Sequence, residues 1–232
     1  MPVLVKSAVL FWFIKSSRLR TRIKICGITR VEDAHSVVTA GADAIGLIFY
    51  PSSPRHVQID QAKEVTNAVS AFVATVGVFV NPEIDYLREV LKNLPIDIIQ
   101  FHGNESPEYC LQADKPYVKA IRVKDDLDLE AQAQRYSSSR GMLLDSFVPG
   151  VEGGTGETFA WDKVNEVKSQ PVILAGGINH SNVSTVISEH KPYAIDISSG
   201  VETDKGIKSA AAIEQFVQAV RRQDQITYGS NT

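Results

Sequence analysis

The sequence predicts an α/β protein folded as a single (β/α)8 barrel of the TIM type, and three observations carry that prediction. From residue 22 onward, short β-branched runs alternate with amphipathic helical stretches, which is the signature of repeated βα units around a parallel sheet. Eight such units follow one another in about 200 residues, the size of a compact barrel. No long linker, low-complexity tract or second domain interrupts them. A doubly wound open sheet is the alternative, but eight consecutive units without a second domain favour closure.

The first strand is RIKIC, followed by GITRVEDAHSVVTAGA, in which Thr29 and Glu32 stand at capping-box spacing and Gly41 can close the helix. DAIGLIF leads to helix IDQAKEVTNAVSAF, TVGVFV to EIDYLREVLKNL, and DIIQFHG to the shorter SPEYCLQA. YVKAIRV leads to DDLDLEAQAQRY, and GMLLDS, through the glycine-rich loop FVPGVEGGTGETF, to AWDKVNEVK. PVILAGG with SNVSTVISEH and YAIDISSG with SAAAIEQFVQAVRR complete the set. The barrel is expected over residues 21–225, with 226–232 as a tail.

The chain has 232 residues and a net charge of −3. It therefore has no general attraction to a polyanion, which disfavours nucleic-acid binding as its main work and leaves small-molecule chemistry as the expectation. Its two cysteines, Cys26 and Cys110, form neither a CxxC nor a zinc-binding spacing, as in a reduced intracellular protein. Residues 1–20 read as a basic extension outside the fold, free of acidic residues, with an apolar run, Ala8 to Ile14, too short to span a bilayer. A cytoplasmic protein with no membrane association is expected, and the basic extension keeps organelle import as the alternative. Monomer and homodimer both stay open.

In a (β/α)8 barrel the active site lies where the strands end and the chain leaves for each helix. The turns LAGGIN and ISSGVE, after strands seven and eight, bring Gly176, Gly177, Ser198, Ser199 and Gly200 to where backbone N–H groups can converge on a phosphate. Read as plain turns, they need only positive-φ glycines. Asp145 ends strand six, where desolvation can make it a general acid, or it caps a turn. Arg55, in a proline-bounded loop after strand two, can pair with a substrate carboxylate, or lie solvated at the surface. Gln100 and His102 flank Phe101 and so face one side, as candidate substrate contacts; His102 alone is as readily a structural hydrogen-bonder.

Alternation in the first strand turns Ile23 and Ile25 toward the helices, and Lys24 and Cys26 into the barrel. A buried lysine needs a partner, and Asp196 on the closing strand has the matching parity, so a Lys24–Asp196 ion pair is expected. Cys26 then sits at the rim beside a helix start, where positive surroundings favour thiolate. It can be a small buried apolar residue, a redox or metal thiol, or a catalytic group. Cys110 falls on the apolar face of a helix, as core.

The segments KICGIT, GADAIGLIFYPSSPRHV, VGVFVNP, IIQFHGNE, LLDS with GGTGETFAW, VILAGGIN and IDISSGVE strongly resemble phosphoribosylanthranilate isomerase of tryptophan biosynthesis. The resemblance runs from about residue 22 to 221 and involves every βα unit in order. It implies a barrel enzyme, an aldose–ketose isomerase that needs no cofactor or metal and acts on a small phosphorylated substrate. It also implies Cys26 as general base, Asp145 as general acid, Arg55 as holder of the anthranilate part, and the turns after strands seven and eight as phosphate cradle. One departure is Ser209, where the family often carries aspartate, although serine can still cap the last helix. The rivals are two related barrels, indoleglycerol-phosphate synthase and the histidine-pathway isomerase, and a catalytically silent phosphate-binding barrel. Cys26 argues against the first two, and the Cys26–Asp145 pair against the third.

Overall fold

The computed structural model describes residues 20–124, 126–145 and 159–229; residues 1–19 of the expected 1–20 extension, most of the glycine-rich loop with Gly153, Gly154 and Gly156, and residues 230–232 lie outside the described residues. Eight parallel strands close in sequence order: β1 (Arg22–Cys26), β2 (Ala44–Ile48), β3 (Ala74–Phe79), β4 (Ile98–Phe101), β5 (Tyr117–Arg122), β6 (Met142–Asp145), β7 (Val172–Ala175) and β8 (Ala194–Ile197). Around them run α1 (Val31–Ala40), α2 (Ile59–Asn67), α3 (Ile84–Asn93), α4 (Pro107–Leu111), α5 (Leu129–Arg135), α6 (Phe159–Asp162), α7 (Val183–His190) and α8 (Ala210–Tyr228). The (β/α)8 barrel expected from the sequence is the fold observed. No helix among the described residues is long and apolar enough to cross a membrane.

Period-2 alternation sorts the side chains into two environments. Ile23, Ile25, Ile45, Leu47, Ile99, Phe101, Leu144, Leu174, Ile195 and Ile197 point outward and pack with the helices in the main apolar core. The opposite parity fills the barrel. On one side of the interior Val118, Ala120, Leu143 and Ala175 form a small cluster of their own. On the other, the register sets Lys24 beside Asp196, and Lys24 Nζ donates to Asp196 Oδ2 at 2.8 Å. The expected ion pair is present, with both residues 7% exposed.

The lower end of the barrel is tied shut by carboxylates. Asp43 accepts from the Ile23 amide at 2.8 Å and from Arg20 at 2.7 Å, and Asp224 of α8 accepts from the Thr21 amide at 2.8 Å and its hydroxyl at 2.7 Å. Arg20 and Thr21 thus belong to the base of the fold.

Several element ends differ from expectation. α1 has Arg30 at its N-cap with no side-chain cap bond, so the Thr29/Glu32 capping box does not form. The Thr29 hydroxyl donates instead to the Gly206 carbonyl at 2.5 Å, reaching a hairpin of β9 (Glu202–Asp204) and β10 (Ile207–Lys208) that alternation alone did not indicate. Gly41, with φ 80, closes α1 as expected. α2 stops at Asn67, and the segment beyond it ends in a fully exposed Phe72 with φ 73. The sixth helix shortens to one turn continued by a 3-10 turn, Lys163–Glu166. α8 runs on to Tyr228, and Ser209 caps it by accepting from the Ala212 amide at 3.2 Å.

Candidate active site

The C-terminal mouth of the barrel gathers the strand-end residues. On the β1 side, two glycines explain how the thiol is seated. A Cβ on Gly46 of β2 would lie 2.8 Å from Cys26 Sγ and 3.0 Å from Lys24 Nζ, so thiol and ammonium share the space that this glycine leaves. Gly27, with φ 76, follows the thiol, and a Cβ there would meet Arg55 Cδ at 2.5 Å. The stem of Arg55 therefore lies across the turn that follows Cys26.

The guanidinium of Arg55 is fixed from behind. Its Nε donates to Glu202 Oε1 at 2.7 Å and its Nη2 to Oε2 at 2.6 Å, a two-pronged contact that leaves the Nη1 edge out of the pair. Lys208 Nζ donates to the same Glu202 Oε1 at 2.7 Å and to the Ser198 carbonyl at 3.1 Å. Burial pushes the Glu202 carboxyl up, but the hydrogen bonds from Arg55 and Lys208 outweigh it and hold it below the usual range. Burial likewise lowers Lys208 despite Glu202. The Ser198 hydroxyl donates to the Cys26 carbonyl at 3.0 Å, stitching the end of β8 to the end of β1.

Burial pushes the Cys26 thiol up, with Asp196 adding to that push while Lys24 and Lys208 oppose it; the net direction is upward. The positive surroundings expected from the sequence are present in Lys24 and Lys208 and pull toward thiolate, while desolvation at the buried site pulls the other way and is the larger of the two. Burial also works against Lys24, but Asp196 and Cys26 hold it above its usual value, as an ammonium. Cys110, wholly buried, is pushed up to about 12 and is core, as expected.

Across the barrel, Asp145 ends β6. His102 Nε2 lies 3.2 Å from Asp145 Oδ2, and Gln100 Nε2 lies 3.1 Å from His102 Nδ1. The two contacts fit a ring that accepts from the Gln100 amide at Nδ1 and turns an Nε2–H toward Asp145. Behind this row the turn after β4 is braced by a buried pair. Lys119 Nζ donates to Glu105 Oε2 at 2.8 Å and to the Gly103 carbonyl at 2.7 Å, while Glu105 accepts from the Asn81 amide at 2.8 Å.

The turns after β7 and β8 form the third wall. Gly176 and Gly177 hold φ 82 and 66, and Asn182 Nδ2 donates to the Gly177 carbonyl at 2.9 Å. Ser199–Val201 is a 3-10 turn, and Gly200 lies so near the Ile178 carbonyl that a Cβ would come within 2.5 Å of it. The two turns thus pack directly on one another.

The mouth therefore holds a thiol beside an ammonium, a carboxyl beside an imidazole, a braced guanidinium and a glycine-rich double turn. Such a set suits proton abstraction and proton donation on one bound anionic molecule. The sequence model of the family described as N-(5'phosphoribosyl)anthranilate (PRA) isomerase matches residues 23–219. The chain belongs to the phosphoribosylanthranilate isomerase family.

A member of that family from Pseudomonas putida, N-(5'-phosphoribosyl)anthranilate isomerase, is 52% identical over 201 residues, covering 87% of this chain and 98% of that protein. The crystal structure of phosphoribosyl anthranilate isomerase from Thermotoga maritima superposes with a TM-score of 0.78 at 35% identity, covering 87% and 99% of the two chains. A crystal structure of the isomerase in complex with reduced 1-(o-carboxyphenylamino)-1-deoxyribulose 5-phosphate gives 0.76 at 33% identity, with the same coverage.

Relative to the residues singled out by sequence, the structure brings Cys26, Arg55 and Ser198 together on one side of this isomerase-family barrel, and Gln100, His102 and Asp145 on the other. Glu202 and Lys208 were missed. Both flank the DKG turn of the β9–β10 hairpin, and an acid and a lysine around a glycine turn would have been the only hint. It takes the folded hairpin to turn them inward.

Proposed function

We propose that this chain isomerises N-(5-phosphoribosyl)anthranilate to 1-(2-carboxyphenylamino)-1-deoxyribulose 5-phosphate, in tryptophan biosynthesis, by general acid and general base catalysis. The observation that carries this reading is the meeting of Cys26 and Asp145 at one barrel mouth, each seated against a hydrogen-bonding neighbour. Asp145 gives its proton to the furanose ring oxygen; the ring C–O bond breaks and an iminium forms at C1. That positive charge acidifies C2, and Cys26, as thiolate, takes the C2 proton to leave an enaminol, which tautomerises to the ketone. C2 is oxidised and C1 reduced within one molecule, so the redox change closes internally.

Arg55 takes the anthranilate carboxylate, and its pairing with Glu202 supports a fixed, pre-aimed guanidinium rather than a swinging one. Gly176, Gly177, Ser199 and Gly200 supply N–H groups for the phosphate, while Ser198, whose hydroxyl is turned to Cys26, contributes through its backbone. The partner is this small phosphorylated substrate, at a cytoplasmic site of action.

The anthranilate substrate fluoresces, so turnover is read as a decay of emission by the purified full chain. Substrate binding without decay overturns the reading. Cys26→Ala and Asp145→Asn are each expected to lower kcat by about 10²-fold or more at nearly constant KM, since each group acts in the transition state. An unchanged kcat in either variant removes that role.

A further inference from the structure

We propose that the buried Lys24–Asp196 pair is the device that sets the ionisation of Cys26, with Lys24 as a positioning residue that holds the working thiolate and Asp196 as its counterweight. The proposal deepens the reading of Cys26 as the base and rests on it.

The geometry is specific. Lys24 and Cys26 lie two residues apart on β1, both facing inward, and Gly46 leaves one space into which Sγ and Nζ both project. Lys24 Nζ gives one hydrogen to Asp196 Oδ2 at 2.8 Å, and the ammonium has two further donors. A self-contained structural ion pair would satisfy both carboxylate oxygens, yet Asp196 Oδ1 is buried with no hydrogen-bond partner. Asp196 therefore keeps charge that is only partly compensated at the floor of the pocket.

The charged groups facing the thiol can be named from each surrounding element. β1 gives Lys24, β8 gives Asp196, β2 gives only the uncharged Gly46, the loop after β2 gives Arg55, and β10 gives Lys208, with Glu202 of β9 between those two cations. Arg55 and Lys208 share their charge with Glu202. Lys24, whose Nζ projects with Sγ into the one space over Gly46, is the cation best placed to answer a thiolate, and Asp196 the anion that limits how far it does so. The directions found for Cys26 agree, with Lys24 pulling its titration down and Asp196 pushing it up.

The two halves of the pair should accordingly act with opposite signs, which a merely structural role would not produce. The thiolate absorbance of Cys26 is titrated in the substrate-free full chain, as the difference from Cys26→Ala. Lys24→Met is expected to move the titration upward by about one unit or more, ten-fold less thiolate at a fixed pH, and Asp196→Asn to move it downward. Because Lys24→Met strands a buried carboxylate and can fail to fold, the double variant Lys24→Met/Asp196→Asn, uncharged and close in shape, is measured beside it; it should titrate above the wild type. Shifts of the same sign in both single variants, no downward shift in Asp196→Asn, or an unmoved double variant overturns the proposal. The acid limb of kcat/KM should follow the titration in each variant. Since the titration needs no substrate, it stands or falls apart from the proposed activity, which fails only if the wild type does not turn over.

Discussion

His102, expected as a substrate contact or a structural hydrogen-bonder, lies between Gln100 and Asp145, and we propose that it acts there on the carboxyl group. An N–H held against Asp145 Oδ2 at 3.2 Å orients the carboxyl group before substrate arrives and stabilises the carboxylate left after proton donation. His102→Asn should lower kcat by about ten-fold or more while KM stays near its original value, read in the fluorescence assay; a rise in KM alone would return the ring to the substrate. Strand parity made much of this site legible. Cys26, Lys24, Asp196, Gln100 and Asp145 follow from counting inward positions along strands. Orientation within the mouth did not follow: the Ser198 hydroxyl spends its hydrogen on Cys26, and the Cys26 pKa depends on how far burial outweighs Lys24 and Lys208, a balance no spacing encodes.

Helix and strand cores were readable from periodicity, and helix ends less so, because an end is decided by which partner a capping group finds. Ser209 finds the amide three residues on, whereas Thr29, in an equally plausible capping position, is drawn across to Gly206. Ser209→Ala should therefore cost about 1 kcal/mol and lower Tm by about 2–4 °C in a calorimetric scan, with turnover retained. Thr29→Ala would act elsewhere, loosening the β9–β10 hairpin that carries Glu202 and Lys208. α2 shows the opposite limit: its apolar pattern continues to Phe72, but the chain leaves the helix after Asn67 to reach β3, a demand of barrel geometry that local propensity does not contain.

At the scale of the molecule, carboxylates that bind cations and backbone amides make stability depend on acidity. Glu202 and Asp43 are both held below their usual values, in each case because hydrogen bonds outweigh burial. A carboxyl lowered in the fold contributes stability above its unfolded value and loses it as pH falls through the folded one. Asp224, raised by burial despite Thr21, acts in the reverse sense and offsets part of the loss. The urea midpoint should therefore fall as pH drops below the ordinary carboxylate value of 4.5, and Glu202→Gln should start lower at neutral pH but fall less steeply. Barrel closure itself was legible as eight ordered units, while the Arg55–Glu202 bond, joining residues 147 apart, was not, since it depends on a hairpin outside the repeating pattern. That closure also has a consequence in time. Of the barrel strands β1 is synthesised first and β8 last, so Lys24 waits for a partner 172 residues downstream. Until then the growing chain carries an open strand edge and an unmatched ammonium beside Cys26. The Lys24–Asp196 contact beneath the thiol thus requires the strand pairing of greatest sequence separation in the barrel, the kind of non-local contact that costs the most loop-closure entropy to form.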